Sequence, residues 1–386
     1  MSRFLLSRCI LALLALLLCS LVWGGNTARY KVLDPISHGN LTVFPVVASN
    51  THDTTQFITL DEGIRSGEVV VTEAGRLGGL IRGPHPRIPS GPQVNNLVLV
   101  NNSKRPLILL AGEIVTGGKQ DRVVAKDRVV PAESDPVDLG VFCVEPGRWT
   151  ETSTQFSTMK SQMAQPSVRR KAMVAQNQQQ VWDSVGRAND AIAAAASPVP
   201  TGGPIYTPNG GQTVYAERGV TSYAKVFDEE KNKQWISQDA APVEQSYSSL
   251  IKRLRDQHAV GVVVAVGGQL IWADLFASTD LLEKYWPKLV RSYAAEAITT
   301  HAATKSLGAA EAQKFLERME GTHETSDTEP GVYRQSEAIA PEFKVFTLAS
   351  LLPGTGFDLH VSKIADAPSP EVGIIHPPRP WNEGPR

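Results

Sequence analysis

The chain has 386 residues, 42% hydrophobic and 20% charged, which places it among globular proteins rather than disordered ones. Its 38 basic and 39 acidic residues leave a formal net charge of -1, and no basic block stands out, so nothing electrostatic points to nucleic acid. The length allows one large domain or two ordinary ones.

The first residues read as a targeting segment. Arg3 and Arg8 precede the apolar run "CILALLALLLCSLV", and small residues follow near Gly24. That order predicts a signal peptide over residues 1–24, cleaved on export to the periplasm or the extracellular space. The run is short for a membrane span, so no stable span is expected after cleavage; a retained anchor is the alternative. Cys9 and Cys19 leave with the peptide. The mature chain keeps Cys143 alone and forms no internal disulfide.

Residues 28–150 read as mostly β. "NLTVFPVVAS" is a strand, and "TLDEGIRSGEVVVTEA" a short helix followed by a strand. A Gly/Pro loop, "GRLGGLIRGPHPRIPSGPQ", comes next. "NNLVLVNNS" and "RPLILLAGEIV" are two strands, and "DRVVAKDRVVPA" and "PVDLGVFCVEPG" continue the β run. Residues 151–215 are a helical insert with a Pro-rich loop, "SPVPTGGPIYTPNGGQ". Residues 216–365 alternate helices and strands. "YSSLIKRLRDQH" is a short helix, and "AVGVVVAVGGQLIWADLF" a hairpin turning at Gly267-Gly268 with Val263, Val264 and Ile271 buried. A helix starts near Thr279, is kinked or restarted by Pro287, and covers that hairpin. "GAAEAQKFLERMEG" is a further helix, and "VYRQSEA" and "FKVFTLAS" are late strands. Residues 366–386 form a Pro-rich tail. The expected fold is a single α+β domain over residues 28–365, with a largely antiparallel β N-terminal half, Gly-Gly hairpins, and helices from the C-terminal half packed on it.

The chemistry concentrates in "GEIVTGGKQDRVV", residues 112–124. A two-residue turn at Gly117-Gly118 would set Glu113 opposite Arg122. Strand alternation puts Glu113 in an apolar row, where a carboxylate must be paired or neutralised. Either the pair fixes the register or it belongs to a site. In the second stretch, "FCVEPGRW", Glu145, Arg148 and Trp149 follow a strand end, where Arg offers forked hydrogen bonds and Trp a stacking plate. The bland alternative is a surface ion pair with a Trp over the core edge. Cys143, between Phe142 and Val144, reads as buried and unreactive. In the third, "WADLF", Asp274 is a strand-to-helix carboxylate or a third acidic site residue. The eight His residues are scattered without metal-ligand spacing, and no phosphate loop or dinucleotide fingerprint occurs, so neither a metal nor a cofactor is expected.

Together "GEIVTGGKQDRVV", "VFCVEPGRW" and "GGQLIWADLFASTDLLEKYWPKLVRSYAAEAI" resemble a bacterial family, the ARG and rhodanese-phosphatase-superfamily-associated protein domain, over roughly residues 35–300. The resemblance implies, through its association with ADP-ribosylglycohydrolase and phosphatase-like proteins, a role near ADP-ribose or other NAD-derived metabolites. It implies no residue roles.

Two functions are therefore expected in competition. In a hydrolase, Glu113 and Glu145 act as general acid and base. Lys119, Gln120, Arg122 and Arg148 hold an anionic small molecule, Trp149 stacks on a ring, and Asp274 completes the site. In a non-catalytic exported binding or assembly module, the same residues are hairpin pins and strand caps. The two charged motifs are expected to border one cleft in either a catalytic or a ligand-binding site.

Overall fold

The structure, a computed structural model, describes residues 29–74, 96–159, 162–196, 222–253, 257–300 and 306–366. The expected signal peptide, the Gly/Pro loop after Ala74, the Pro-rich loop and the tail beyond Asp366 lie outside them.

In chain order, β1 (Tyr30–Val32), β2 (Ile36–His38), β3 (Leu41–Ala48) and β4 (Ile58–Thr59) lead into helix α1 (Leu60–Ser66). Then come β5 (Val69–Glu73), β6 (Asn96–Asn101), β7 (Leu107–Leu109), β8 (Ile114–Thr116), β9 (Arg122–Val124), β10 (Arg128–Val130), β11 (Val137–Cys143) and β12 (Ser157–Thr158). Helix α2 (Pro166–Arg170) continues through a π turn, Lys171–Ala175, towards α3 (Gln178–Ala196). Helices α4 (Tyr223–Asp228) and α5 (Glu230–Arg253) precede the hairpin of β13 (Ala259–Val266) and β14 (Gln269–Phe276). Helices α6 (Thr279–Ile298) and α7 (Ala309–Glu317) and strands β15 (His323–Glu329), β16 (Tyr333–Ala340), β17 (Phe343–Ser350) and β18 (Asp358–Ala365) follow. The fold is α+β. Its strands pair antiparallel throughout, except β4 with β7.

Three sheets result. The largest runs β1-β3-β13-β14-β18-β17-β16-β15, with β2 also on β3. The second runs β12-β8-β9-β11-β6-β5, and the third is β10-β7-β4. The stretch expected as one strand through "LILLAGEIV" is divided: β7 pairs with β10 and β4, whereas β8 pairs with β9 and β12. The break follows from Gly112 at φ 94, a conformation that a β-strand cannot contain.

The hairpin of β13 and β14 turns at Gly267 and Gly268, with φ of 55° and 73°, and Val266 faces Gln269. Two positive φ values are what a type I′ turn requires. "AVGVVVAV" is buried along its whole length. Val262, Val264 and Val266 join the core under α6, and Val260, Val263 and Ala265 a second core with Leu307, Ala312 and Leu316. Ile271 is only half-buried, because it lies near the turn. Ser278 caps α6 by accepting from the Leu281 amide, and the helix runs through Pro287 without a restart. The helix expected only from Tyr247 onward begins at Glu230, with Pro242 inside it. One hydrophobic cluster extends from Leu41 through Phe142, Val185, Tyr247 and Trp286 to Ile364, so the β-rich part and the α/β part share a core.

Candidate functional site

The connection between β8 and β9 is longer than a two-residue turn. Val115 faces Arg122 and Ile114 faces Val123. Glu113 therefore lies opposite Val124, whose amide donates to the Glu113 carbonyl at 2.9 Å. The expected pairing of Glu113 with Arg122 does not occur. The loop from Gly117 to Asp121 is closed instead by the Gly117 amide donating to Asp121 Oδ1 at 2.9 Å. The 152–156 segment packs directly on both glycines: the Thr152 amide donates to the Gly118 carbonyl, and Ser153 and the Phe156 ring occupy the space a side chain would need. Close approach, as much as turn geometry, requires Gly117 and Gly118.

This loop and the end of β11 meet. Arg148 reaches Glu145 at 2.5 Å and Asp121 at 3.3 Å, and donates to the Gly118 carbonyl at 2.9 Å. The Asp121 amide donates to Glu145 Oε2 at 3.1 Å, the Gln120 side chain donates to the Glu145 carbonyl, and Ser222 donates to Asp121. Burial alone would raise the Glu145 pKa, but its hydrogen bonds to Arg148 and the Asp121 amide, with the charges of Arg148 and Lys225, together outweigh this and hold it below the usual carboxylate range. Burial pushes Asp121 up. Outside the cluster Lys119 lies 5.1 Å above the Trp149 ring, and Trp149 is 47% exposed. Arg122 points elsewhere. It is fully buried, 3.9 Å from Glu73, with Nε and Nη2 lacking hydrogen-bond partners. Burial lowers its pKa.

Glu113 belongs to a different group. Its Oε1 lies 2.7 Å from Lys288 Nζ, and its Oε2 accepts from the Leu110 amide at 2.9 Å. Lys288 also holds Asp61 at 2.9 Å. Burial raises the Glu113 pKa. Burial alone would lower Lys288, but Glu113 and Asp61 outweigh it and keep the ammonium charged. Glu113 and Glu145 thus face different partners, Lys288 for the one and Arg148 for the other.

Asp274 anchors a third group. Arg169 grips it in a fork at 2.8 and 3.0 Å, and Tyr293 donates to it. Ser362 donates to it at 2.7 Å, and His360 bridges it to Asp127, at 3.1 and 2.6 Å. Arg169 and His360 drive the Asp274 carboxyl well below its usual range, and the two carboxylates raise His360 to about 9 despite its burial. Gly112 makes room for this network: a Cβ there would sit 2.7 Å from Arg169 Cδ.

Cys143 is buried, and burial raises its thiol pKa. Its backbone N–H and C=O are both taken by the Gln178 side-chain amide at 2.9 Å.

Open space lies elsewhere. A cleft of about 420 Å³ runs between the β9–β10 connection and β11 on one side and the β15–β16 hairpin on the other, and a space of about 180 Å³ adjoins it. Ala125, Lys126, Gln176, Asp327 and Gln335 line both. Arg128 and Tyr333 lie at one end, and Thr325, Glu337 and Phe346 at the other. None of the residues singled out from the sequence lines these spaces. Their lining was missed because β15, "HETSDTE", has no apolar alternation to mark it as a strand, and because the opposing wall lies some 200 positions away.

Among the described residues no group of three or more His, Cys, Asp or Glu is placed to hold a metal ion, and no helix is long and apolar enough to cross a membrane. Comparison with curated proteins and with solved structures finds no match to the chain. A family model, ARPP-1, the ARG and Rhodanese-Phosphatase-superfamily-associated Protein domain, matches residues 29–362, and the chain belongs to that family.

Proposed function

We propose that this protein is an exported, non-catalytic module that binds a small polar ligand in the cleft between Lys126 and Asp327. One observation carries the reading. Asp121, Glu145 and Arg148 of the two sequence motifs neutralise one another and Glu113 is neutralised by Lys288, while the cleft offers the side chains of Lys126, Asp327 and Gln335 with no ion pair or hydrogen bond to a described residue. Its volume falls within the ~300–1,000 Å³ usual for small-molecule sites. Export is supported by the basic, apolar and small-residue order of residues 1–24.

A hydrolase acting on a phosphorylated or ADP-ribose-like metabolite is the second reading. The family description favours it by linking the domain to ARG and to the rhodanese-phosphatase superfamily. It requires Glu113 and Glu145 at one substrate, and carboxylates flanking a scissile bond stand ~5–10 Å apart in a common cavity. The contacts of Glu113 with Lys288 and the Leu110 amide, and of Glu145 with Arg148, support it less.

The test is a thermal-shift screen of the mature chain against ADP-ribose, nucleotides, sugar phosphates, amino acids, peptides and cell-wall fragments, since a ligand raises stability by mass action. Gly140 lines the cleft, and a Cβ there meets nothing within 4 Å, so Gly140→Trp brings a bulky side chain to the cleft wall without a clash at its Cβ. A shift lost in Gly140→Trp is expected. A shift that persists there refutes the cleft, and turnover of ADP-ribose abolished by Glu145→Gln would establish the hydrolase.

A further inference from the structure

Resting on the cleft reading, we propose that its ligand is a zwitterion, a free amino acid or a short peptide, with its carboxylate on Lys126 and Arg128 and its ammonium on Asp327.

Lys126 and Asp327 stand on opposite walls and line both parts of the space. Both are exposed, and neither side chain forms an ion pair or hydrogen bond with a described residue. Two opposite charges that face one cleft without meeting each other are best satisfied by a ligand carrying both signs. A second cation marks the anionic end. Arg128 gives its Nη1 to the Asp138 carbonyl and its Nη2 to Glu329, but its Nε is buried with no acceptor. The exposed part of the guanidinium, whose side chain is 23% exposed, lines the cleft beside Lys126 and adds positive charge at the end where a carboxylate would sit. The cationic end has Asp327, with Glu337 beyond it, half engaged by Lys344 at 3.4 Å.

The floor between the two ends suits a peptide unit. The Gln335 side chain has no hydrogen-bond partner among the described residues, and the Gln176 side chain uses only its amide nitrogen, on the Met173 carbonyl. Each offers a carbonyl oxygen, and Gln335 also an amide N–H, to a ligand amide. Met173 and Phe346 provide apolar surface for a side chain. A polyanion such as a nucleoside diphosphate fits worse, because Asp327 and Glu337 would face it unpaired.

Isothermal titration tests the inference with four probes: L-leucine, the dipeptide alanyl-phenylalanine, its N-acetyl form and its C-terminal amide. Leucine against the dipeptide distinguishes the amino acid from the peptide. The free dipeptide or leucine is expected to bind, and each blocked dipeptide to bind about tenfold or more weakly than the free one, as loss of a charged hydrogen bond implies. Lys126→Met is expected to abolish the preference for a free carboxylate, and Asp327→Asn the preference for a free amine. Both side chains are exposed and unpaired among the described residues, so both variants should keep the wild-type melting temperature. Equal affinity for free and blocked dipeptide, or no binding of any of the four, overturns the zwitterion. If another compound class then gives a shift that Gly140→Trp removes, the cleft reading survives without it. If binding of these probes is unchanged in Gly140→Trp, both fall.

Discussion

Lys288→Met isolates the energetics of the Glu113 group. The Lys288 side chain is 4% exposed, and its ammonium holds two carboxylates, Glu113 at 2.7 Å and Asp61 at 2.9 Å. Methionine keeps the length of the side chain and removes the charge. Asp61, with a side chain 13% exposed, is less enclosed than Glu113, whose side chain is 1% exposed. Breaking a buried pair by removing one partner costs about 3–5 kcal/mol. Glu113 can limit that cost by taking a proton, since burial already raises its pKa. The sign follows from linkage. The folded state of the variant binds a proton that the unfolded chain releases above about pH 4.3, so the penalty is small at low pH and grows as pH rises. Urea unfolding at pH 5 and pH 8, followed by tryptophan fluorescence, should show the larger loss at pH 8. Adding Glu113→Gln to Lys288→Met should recover most of it, because an amide still accepts from Leu110 and carries no charge. Glu113→Gln alone should cost less than Lys288→Met, since Asp61 keeps Lys288 paired. A loss below about 1 kcal/mol for Lys288→Met at pH 8, as for a surface pair, would refute this account.

Other consequences follow from the neighbouring groups. His360 is raised to about 9 in the fold against about 6.5 unfolded, so it stabilises fully below pH 6.5 and loses that contribution as pH rises to 9. The shift is on the order of 3 kcal/mol, and a His360→Asn variant should lack this alkaline fall in melting temperature while being less stable at pH 6. Gly112→Ala needs φ 94 and pushes on Arg169, so a loss of more than about 2 kcal/mol is expected in urea. A cost near zero would mean that Arg169 shifts freely away from Asp274. Cys143 should resist a thiol reagent in the native protein and react fully in denaturant; rapid native labelling would show an opening that reaches β11.

The two Gly-Gly pairs show how far local sequence reaches. Gly267-Gly268 joins the apolar run "AVGVVVAV" to "QLIWADLF", both glycines take the positive φ of the two-residue turn, and Val266 faces Gln269 as the dipeptide predicts, with the Gly267 amide also donating to the Asn40 carbonyl at 3.0 Å. Gly117-Gly118 is the same dipeptide with a different outcome. There Asp121 captures the Gly117 amide and residues 152–156 lie across the glycines, and neither influence is local to the pair. Helix α5 was legible only in its last turns, because Pro242 and a run of Gln, Ser and Asp hide its periodicity. Strand β18 was missed although it is buried between β14 and β17: its inward His360, Ser362 and Lys363 read as solvent-facing until their partners are known. The meeting of Gln120, Asp121, Glu145 and Arg148 was foreseeable from two charged strand ends. The partners of Glu113 and Asp274 lie 175 and 105 positions away in Lys288 and Arg169, which no spacing rule connects.

Strand β15 forms the outer wall of the cleft and the last strand of its sheet. Such an edge leaves a row of amide and carbonyl groups free to pair with another chain, and an apolar edge there would invite fibre growth. "HETSDTE" contains no large apolar residue, and Glu324, Asp327 and Glu329 are spread along it. A second copy laid against it would bring carboxylates against carboxylates. The charge that makes Asp327 available to a ligand therefore also helps to keep this rim from polymerising, so substitutions that neutralise β15 should raise the protein's tendency to aggregate before they alter its fold.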